Sequence, residues 1–97
     1  MTDNIRIPRR LPIEHYLPFV GKTLLAQCDP EPVPLTLVSA DGAASYSVTL
    51  RSSPEALLVD GIYVLSAPGF GDEPVFLSSF IAPGGGEPGY YYQAIYN

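Results

Sequence analysis

The sequence predicts an all-β fold, a small six-stranded antiparallel sandwich or partly open barrel with one short N-terminal helix. Three observations carry that prediction. Eleven Pro and nine Gly in 97 residues impose many turns and keep every element short, which suits strands and hairpins better than a helix bundle. Short apolar runs recur between clusters of Gly, Pro, Asp and Ser, the pattern of strands separated by turns. No helical pattern is long enough for the crossovers that a parallel sheet requires.

Residues 1–11 contain Pro8 and show no periodicity, so they read as an extended arm ahead of a single β domain over residues 12–97. Pro12 suits a first helical turn and Gly21 a stop. Between them Ile13, Tyr16, Leu17 and Val20 fall on one helical face, while Pro18 limits the helix to about one and a half turns, partly 3₁₀. Such a helix is expected to cap one end of the β body. The first strand, Lys22–Cys28, sets Leu24, Ala26 and Cys28 on one face against Thr23, Leu25 and Gln27 on the other. Asp29–Pro32 is a turn. The second strand, Val33–Ala40, points Val33, Leu35 and Leu37 one way, and Pro34, which has no amide donor, places that end at a sheet edge. Asp41-Gly42 is a hairpin signal within a loop extended by Ala43-Ala44.

Ser45–Ser52 alternates most cleanly. Tyr46, Val48 and Leu50 share one face and Ser47, Thr49 and Arg51 the other, as in a half-exposed antiparallel strand. The following connection carries Leu57 and Leu58, expected to tuck under the sheet. Gly61 opens a central hairpin of two apolar runs, Ile62–Ala67 and Val75–Ala82, split by Pro68–Pro74. Large apolar side chains of both parities in Val75–Ile81 suggest a strand covered on both faces, the most buried in the domain. Pro83–Gly89 is a loop rich in Gly. The last strand, Tyr90–Tyr96, alternates Tyr90, Tyr92, Ala94 and Tyr96 against Tyr91, Gln93 and Ile95.

Composition narrows the function classes. At 46% hydrophobic and 15% charged, the chain has enough apolar surface for one core and is not a disordered segment. A net charge of −5 disfavours nucleic acid as a partner. No run approaches the roughly 20 apolar residues of a membrane-spanning helix, and the N-terminus lacks the apolar core of a signal peptide. The expectation is therefore a cytoplasmic protein, or one carried in an assembled particle and released without a signal peptide. The single Cys28 rules out an intramolecular disulfide framework. Charge is also uneven: residues 1–10 carry Arg6, Arg9 and Arg10 against Asp3, a net of +2, and the remaining 87 residues a net of −7. The basic arm either docks on an acidic body, its own or a neighbour's, or is a solvated terminus.

Chemistry-bearing patterns are sparse. His15 is the only histidine; beside Glu14 it has the makings of a general base, but a capping role is the simpler reading. Cys28 reads as an inert thiol on an apolar strand face. One Cys and one His do not make a zinc site, and no cofactor is expected. Gly84-Gly85-Gly86 lacks the Lys and Ser/Thr of a phosphate-binding loop. Phe70, between Gly69 and Gly71, is either a plug at the end of the β body or an exposed anchor for a partner. Tyr90, Tyr91 and Tyr92 offer a candidate binding surface, since tyrosine joins a large apolar ring to a polar tip; alternation allows at most two of them on one side, and ordinary strand filling is the competing reading.

The order of these segments resembles a known family. Tyr16–Thr23 (YLPFVGKT), Pro34–Leu37 (PLTL), Tyr46–Arg51 (YSVTLR), Gly61–Tyr63 (GIY), Val75–Leu77 (VFL) and a closing Tyr92-x-Ala94-x-Tyr96-Asn97 look like those of a small bacterial all-β domain family of unknown function, about one hundred residues long. The resemblance spans roughly residues 12–97. It implies an association with phage-tail-collar-type proteins and brings no catalytic residues; the Arg-bearing arm lies outside it. The expected function is a non-enzymatic structural or protein-interaction module, an accessory of a tail-like or fibre assembly. Its partner is a protein, another copy or a neighbouring subunit, met by Arg6, Arg9, Arg10, Phe70, Tyr90, Tyr91 and Tyr92. The alternative is a small-ligand or carbohydrate-binding module built on the tyrosine-rich last strand.

Overall fold

The computed structural model of the chain describes residues 7–28, 30–81 and 88–97. The chain enters through Pro12, whose extended conformation (φ −69°, ψ 153°) caps a single α-helical turn, α1, Ile13–Tyr16. The helix then tightens into a 3₁₀ turn, Leu17–Phe19, with Pro18 in its first positions, where no amide donor is needed. This tightening changes which side chains face inward. With about three residues per turn, the inner face becomes Ile13, Tyr16 and Phe19: Tyr16 is fully buried, and Ile13 and Phe19 pack against the core. Leu17 and Val20, expected on that face from a 3.6-residue period, are 48% and 40% exposed. Gly21, at φ 88°, turns the chain into the sheet.

Six strands follow: β1 Thr23–Ala26, β2 Val33–Gly42, β3 Tyr46–Ser52, β4 Gly61–Ala67, β5 Gly71–Phe80 and β6 Tyr90–Tyr96. They close a barrel in the order β1-β2-β3-β6-β5-β4, with every neighbouring pair antiparallel. The sandwich alternative is thereby set aside, and the barrel is closed rather than partly open. It consists of two three-stranded meanders, β1–β3 and β4–β6. In that circular order β3 and β4 stand opposite one another, so the link over residues 53–60 must cross the mouth of the barrel. Side chains of alternate residues fill the interior: Leu24, Ala26, Leu35, Leu37, Tyr46, Val48, Leu50, Leu65, Val75, Leu77, Tyr92 and Ala94 are all buried.

Both mouths are filled. Leu58 on the crossing link lies in the core, while Leu57 next to it is 60% exposed; in an extended link adjacent side chains diverge, so only one of the two leucines tucks inward. At the other mouth Leu11, Tyr16, Phe19 and Phe70 meet. Leu11, assigned to the arm by sequence, is fully buried and belongs physically to the barrel. Phe70 is carried inward by a turn over Ala67–Phe70 with Pro68 and Gly69 at its centre, closed by Phe70 N–H donating to the Ala67 carbonyl; Gly69 has φ 85°, as a type II turn requires.

One strand expectation is corrected and one is made more specific. β5 is not covered on both faces: Val75 and Leu77, on the inner parity, are buried, but Phe76 on the outer one is 52% exposed. A one-layer barrel has a single dry side, and among the described residues no second sheet stacks on its outer wall. Pro34 does lie at an edge, but only on one side, since its other side pairs with β1 at Leu25. Leu37 exchanges backbone bonds with Gly21 and Lys22, so by alternation Pro34 turns toward β3, where the β2–β3 ladder has already ended at Thr36↔Arg51. Its missing donor falls beyond the last rung. Among the described residues no helix is long and apolar enough to cross a membrane.

Candidate functional site

The barrel is closed unevenly. β3 and β6 pair over seven successive residues. β5 and β6 pair only through Ser78↔Gln93, Ser79↔Tyr92 and Phe80↔Tyr91. Toward the other mouth the ladder stops, and β5 residues 71–77 pair with β4 alone. Backbone direction shows what this leaves facing the gap. Ser79 N–H donates to the Asp60 carboxylate on the β4 side, so alternation turns the main-chain groups of Asp72, Pro74, Phe76 and Ser78 toward β6. Opposite them, those of Gln93, Ile95 and Asn97 turn toward β5. Pro74 places its missing donor here, where no rung needs it.

The gap is a cleft of about 350 Å³ lined by residues 8–10 of the arm, by Val75, Phe76 and Ser78, and by residues 93–97. Continuing the Ser78↔Gln93 register by two residues sets Phe76 opposite Ile95. Phe76 is in turn paired with Ile62 on β4. These three outward side chains, 51%, 52% and 59% exposed for Ile62, Phe76 and Ile95, form an apolar row across three strands, interrupted by the cleft.

The arm crosses this cleft on side-chain contacts. Arg9 forms a two-pronged pair with Glu73, Nε to Oε1 at 3.0 Å and Nη2 to Oε2 at 2.7 Å. Arg10 donates from Nε to the Asn97 carbonyl at 3.0 Å and from Nη2 to the Ala44 carbonyl, with its guanidinium carbon 5.9 Å from the centre of the Tyr46 ring. Among the described residues the arm makes no backbone–backbone hydrogen bond. The hydrogen bond from Arg9 holds the Glu73 carboxyl below its ordinary value against a smaller opposing effect of burial, and Glu73 raises Arg9 in return.

Beneath the arm lies a tyrosine cluster. The Tyr16 and Tyr96 hydroxyls bond each other, Tyr46 donates to the Leu11 carbonyl, and the Tyr46 and Tyr96 rings stack at 4.8 Å. Burial, with the Tyr96 bond second, pushes the Tyr16 phenol far up; burial, with neighbouring Tyr96 second, pushes Tyr46 up to about 12. Tyr96 is raised chiefly by burial, partly offset by its bond to Tyr16. The cluster therefore stays neutral at physiological pH and serves as mortar between arm, helix and barrel.

The predicted site residues divide as follows. Arg9 and Arg10 lie together at the cleft and dock on their own barrel. Arg6 lies outside the described residues, as does the Gly84-Gly85-Gly86 loop. Phe70 and Tyr92, at 1% and 0% exposure, have no surface to offer a partner: one is the mouth plug and the other an inward strand residue. Tyr90, 39% exposed, and the half-buried Tyr91, whose ring lies 6.0 Å from that of Phe80, remain accessible, away from the cleft. His15 Nε2–H donates to the Phe70 carbonyl at 2.8 Å, a capping role. Cys28 packs half-buried against the core. Among the described residues no three His, Cys, Asp or Glu side chains come together to hold a metal ion. Sequence reasoning missed Ile62, Phe76, Glu73 and Ile95. The apolar residues were visible as strand members, but which parity faces outward was not, and the point where β5 leaves β6 is not written in any one segment.

Neither the search of curated proteins nor the search of solved structures returned a match. A family profile described as a domain of unknown function does match, over residues 11–96, beginning at the buried Leu11 and leaving the basic arm outside. The chain therefore belongs to the family described as Domain of unknown function (DUF6916).

Proposed function

We propose that this domain is a non-enzymatic protein-interaction module whose docking surface is the β5–β6 cleft and the apolar row beside it. The observation that carries the reading is the interrupted ladder. Main-chain groups of Phe76 and Ile95 face a gap without joining a rung, and half-exposed Ile62, Phe76 and Ile95 flank it. Unladdered strand edges next to exposed apolar side chains suit a partner that adds an extended segment, with main-chain bonds for affinity and side-chain contacts for selectivity. The partner is a protein, either another copy or a neighbouring subunit. The association with phage-tail-collar-type proteins implied by the sequence resemblance supplies the wider setting, a tail-like or fibre assembly. The carbohydrate-binding alternative loses Tyr92, which is inside, and an open barrel end, since both mouths are filled, and is left with Tyr90 and Tyr91.

The test is light scattering coupled to size-exclusion chromatography, with the purified protein alone and with the products of its neighbouring genes. Wild type is expected to form a complex, with itself or with one of those products, that the Phe76→Ser, Ile95→Ser double variant forms at least tenfold more weakly while its circular dichroism is unchanged. A wild type that remains a monomer in every mixture, or a variant that binds equally well, removes the reading.

A further inference from the structure

We infer that the segment taken by the cleft is acidic: an extended stretch of another protein that sets an apolar side chain against Phe76 and Ile95 and a carboxylate against Arg10. The inference rests on the reading of the cleft as the docking surface and names the chemistry of its occupant.

Charge picks out the cleft. The chain carries ten acidic residues against five Lys and Arg, yet two of those five, Arg9 and Arg10, line the cleft and no Asp or Glu does. The two arginines are not equivalent. Arg9 is spent on Glu73, which takes it in two prongs. Arg10 has no acidic side chain against it among the described residues. Its bonds go from Nε and Nη2 to the Asn97 and Ala44 carbonyls. A guanidinium carries five N–H donors, so the remaining ones are left for an incoming carboxylate, which it meets as a fork. Arg10 is also held ready. The residue before it is pinned by Glu73, and the residue after it, Leu11, is fully buried, so the arm is a fixed wall of its own barrel. The Arg10 guanidinium carbon lies 5.9 Å from the centre of the Tyr46 ring. A cation fixed in this way gives up little freedom on pairing.

Spacing defines the segment. Phe76 and Ile95 keep main-chain groups outside any rung and side chains more than half exposed. Asn97, whose carbonyl Arg10 grips, stands two residues beyond Ile95, on the same face and about 7 Å further along an extended chain. The matching segment therefore carries its acid two residues from an apolar side chain. It carries one carboxylate and not a run, because a chain of net charge −5 repels a strongly acidic segment at a distance. A basic segment is drawn to the body as a whole but brings its cation against Arg10.

The test pans a display library of random segments of about seven residues on the full wild-type chain, with counter-selection on the F76S/I95S variant. Recovered segments are expected to hold Asp or Glu two residues from an apolar side chain. The tightest of them, made as a capped peptide, is titrated calorimetrically against wild type and Arg10→Gln, and again with its acid changed to the corresponding amide. Each change alone is expected to weaken binding about tenfold, and the two together no more than either. Arg10→Lys, which keeps the charge and loses the fork, is expected to fall between wild type and Arg10→Gln. The change in the peptide leaves the protein untouched, so a folding defect in Arg10→Gln does not imitate the result. Basic or uncharged segments, or binding indifferent to Arg10→Gln, overturn the inference. Its failure is separable from that of the docking surface: uncharged segments that still need Phe76 and Ile95 leave the cleft a docking surface with another occupant, whereas a library yielding nothing that depends on those two residues removes both. A wild-type dimer lost in F76S/I95S and kept in Arg10→Gln makes the occupant a second copy and likewise overturns the inference.

Discussion

Tyr92 stands between two tyrosines in sequence and apart from them in role. Its side chain points into the barrel, and its hydroxyl lies where the link over residues 53–60 crosses the mouth. There it accepts the Leu58 amide at 3.0 Å and lies 3.1 Å from the Ser52 hydroxyl, which itself donates to the Ala56 carbonyl at 2.7 Å. One phenol thus fastens the connection between the two meanders. Replacing it with phenylalanine keeps the ring and its packing but strands a buried amide, which costs about 1–3 kcal/mol. Tyr92→Phe is therefore expected to lower the urea midpoint without changing the slope, and hydrogen exchange at the Leu58 amide is expected to quicken. An unchanged midpoint would show that water replaces the hydroxyl without loss. The sequence announced that alternation would divide the three tyrosines between two faces. It did not announce that Tyr92 would take the inner one, because Tyr90–Tyr96 is apolar on both parities and inside was decided by Ala94 and by the register against Val48 and Leu50.

At the scale of elements, legibility follows how sharply the two faces of a segment differ. β3 alternates large apolar with polar side chains, and Tyr46, Val48 and Leu50 are buried as its pattern requires. In β5 bulk falls on both parities, so sequence alone reads two covered faces where the barrel supplies one. The helix was legible in place and length, but Pro18 tightened it and moved its inner face from Leu17 and Val20 to Phe19. The β2–β3 hairpin is more local and was correspondingly readable: Asp41-Gly42 leads into a three-residue loop, Ala43–Ser45, closed by Gly42↔Tyr46. Gly42 sits at φ 131°, and a Cβ there would lie 2.5 Å from the Ser45 carbonyl oxygen. Backbone, not a movable side chain, is in the way. Gly42→Ala is expected to cost about 1–3 kcal/mol, read as a lower thermal midpoint, and to loosen the Ala44 carbonyl that Arg10 grips. Gly21→Ala makes a useful comparison: its φ of 88° is also positive, but its Cβ would meet open space, so its smaller loss isolates conformational strain from collision.

Taken whole, the molecule is a barrel whose two mouths are shut by its own chain and whose wall is sparsely paired at β1–β4 and at β5–β6, the seam that opens into the cleft. The seam was not legible because it arises from how far two distant strands run alongside each other, a property of β5 and β6 jointly. The charge asymmetry that lays the arm across it was legible from the first ten residues, and the docked arm is its consequence. That attachment has a predictable pH response. Arg9 stabilises the ionised Glu73, so the folded carboxyl titrates below its unfolded value. The linked stabilisation is fully present above the ordinary carboxylate range and is lost as pH falls through the depressed folded value. Arm docking is expected to hold at neutral pH and through the ordinary carboxylate range and to weaken only as pH falls below it, while the barrel, whose core contacts are apolar, stays folded. Salt should act in the same direction at neutral pH, since Arg9 is 63% exposed and the screening length shortens to about 3 Å in 1 M salt. Heteronuclear NOEs of residues 7–10 should fall with acid and with salt ahead of those in β3, and in Arg9→Ala the Glu73 carboxyl should return to its ordinary range. If the NOEs of the arm and of β3 fall together, the arm is held by the burial of Leu11 and the tyrosine cluster beneath it, with the Arg9–Glu73 pair a passenger.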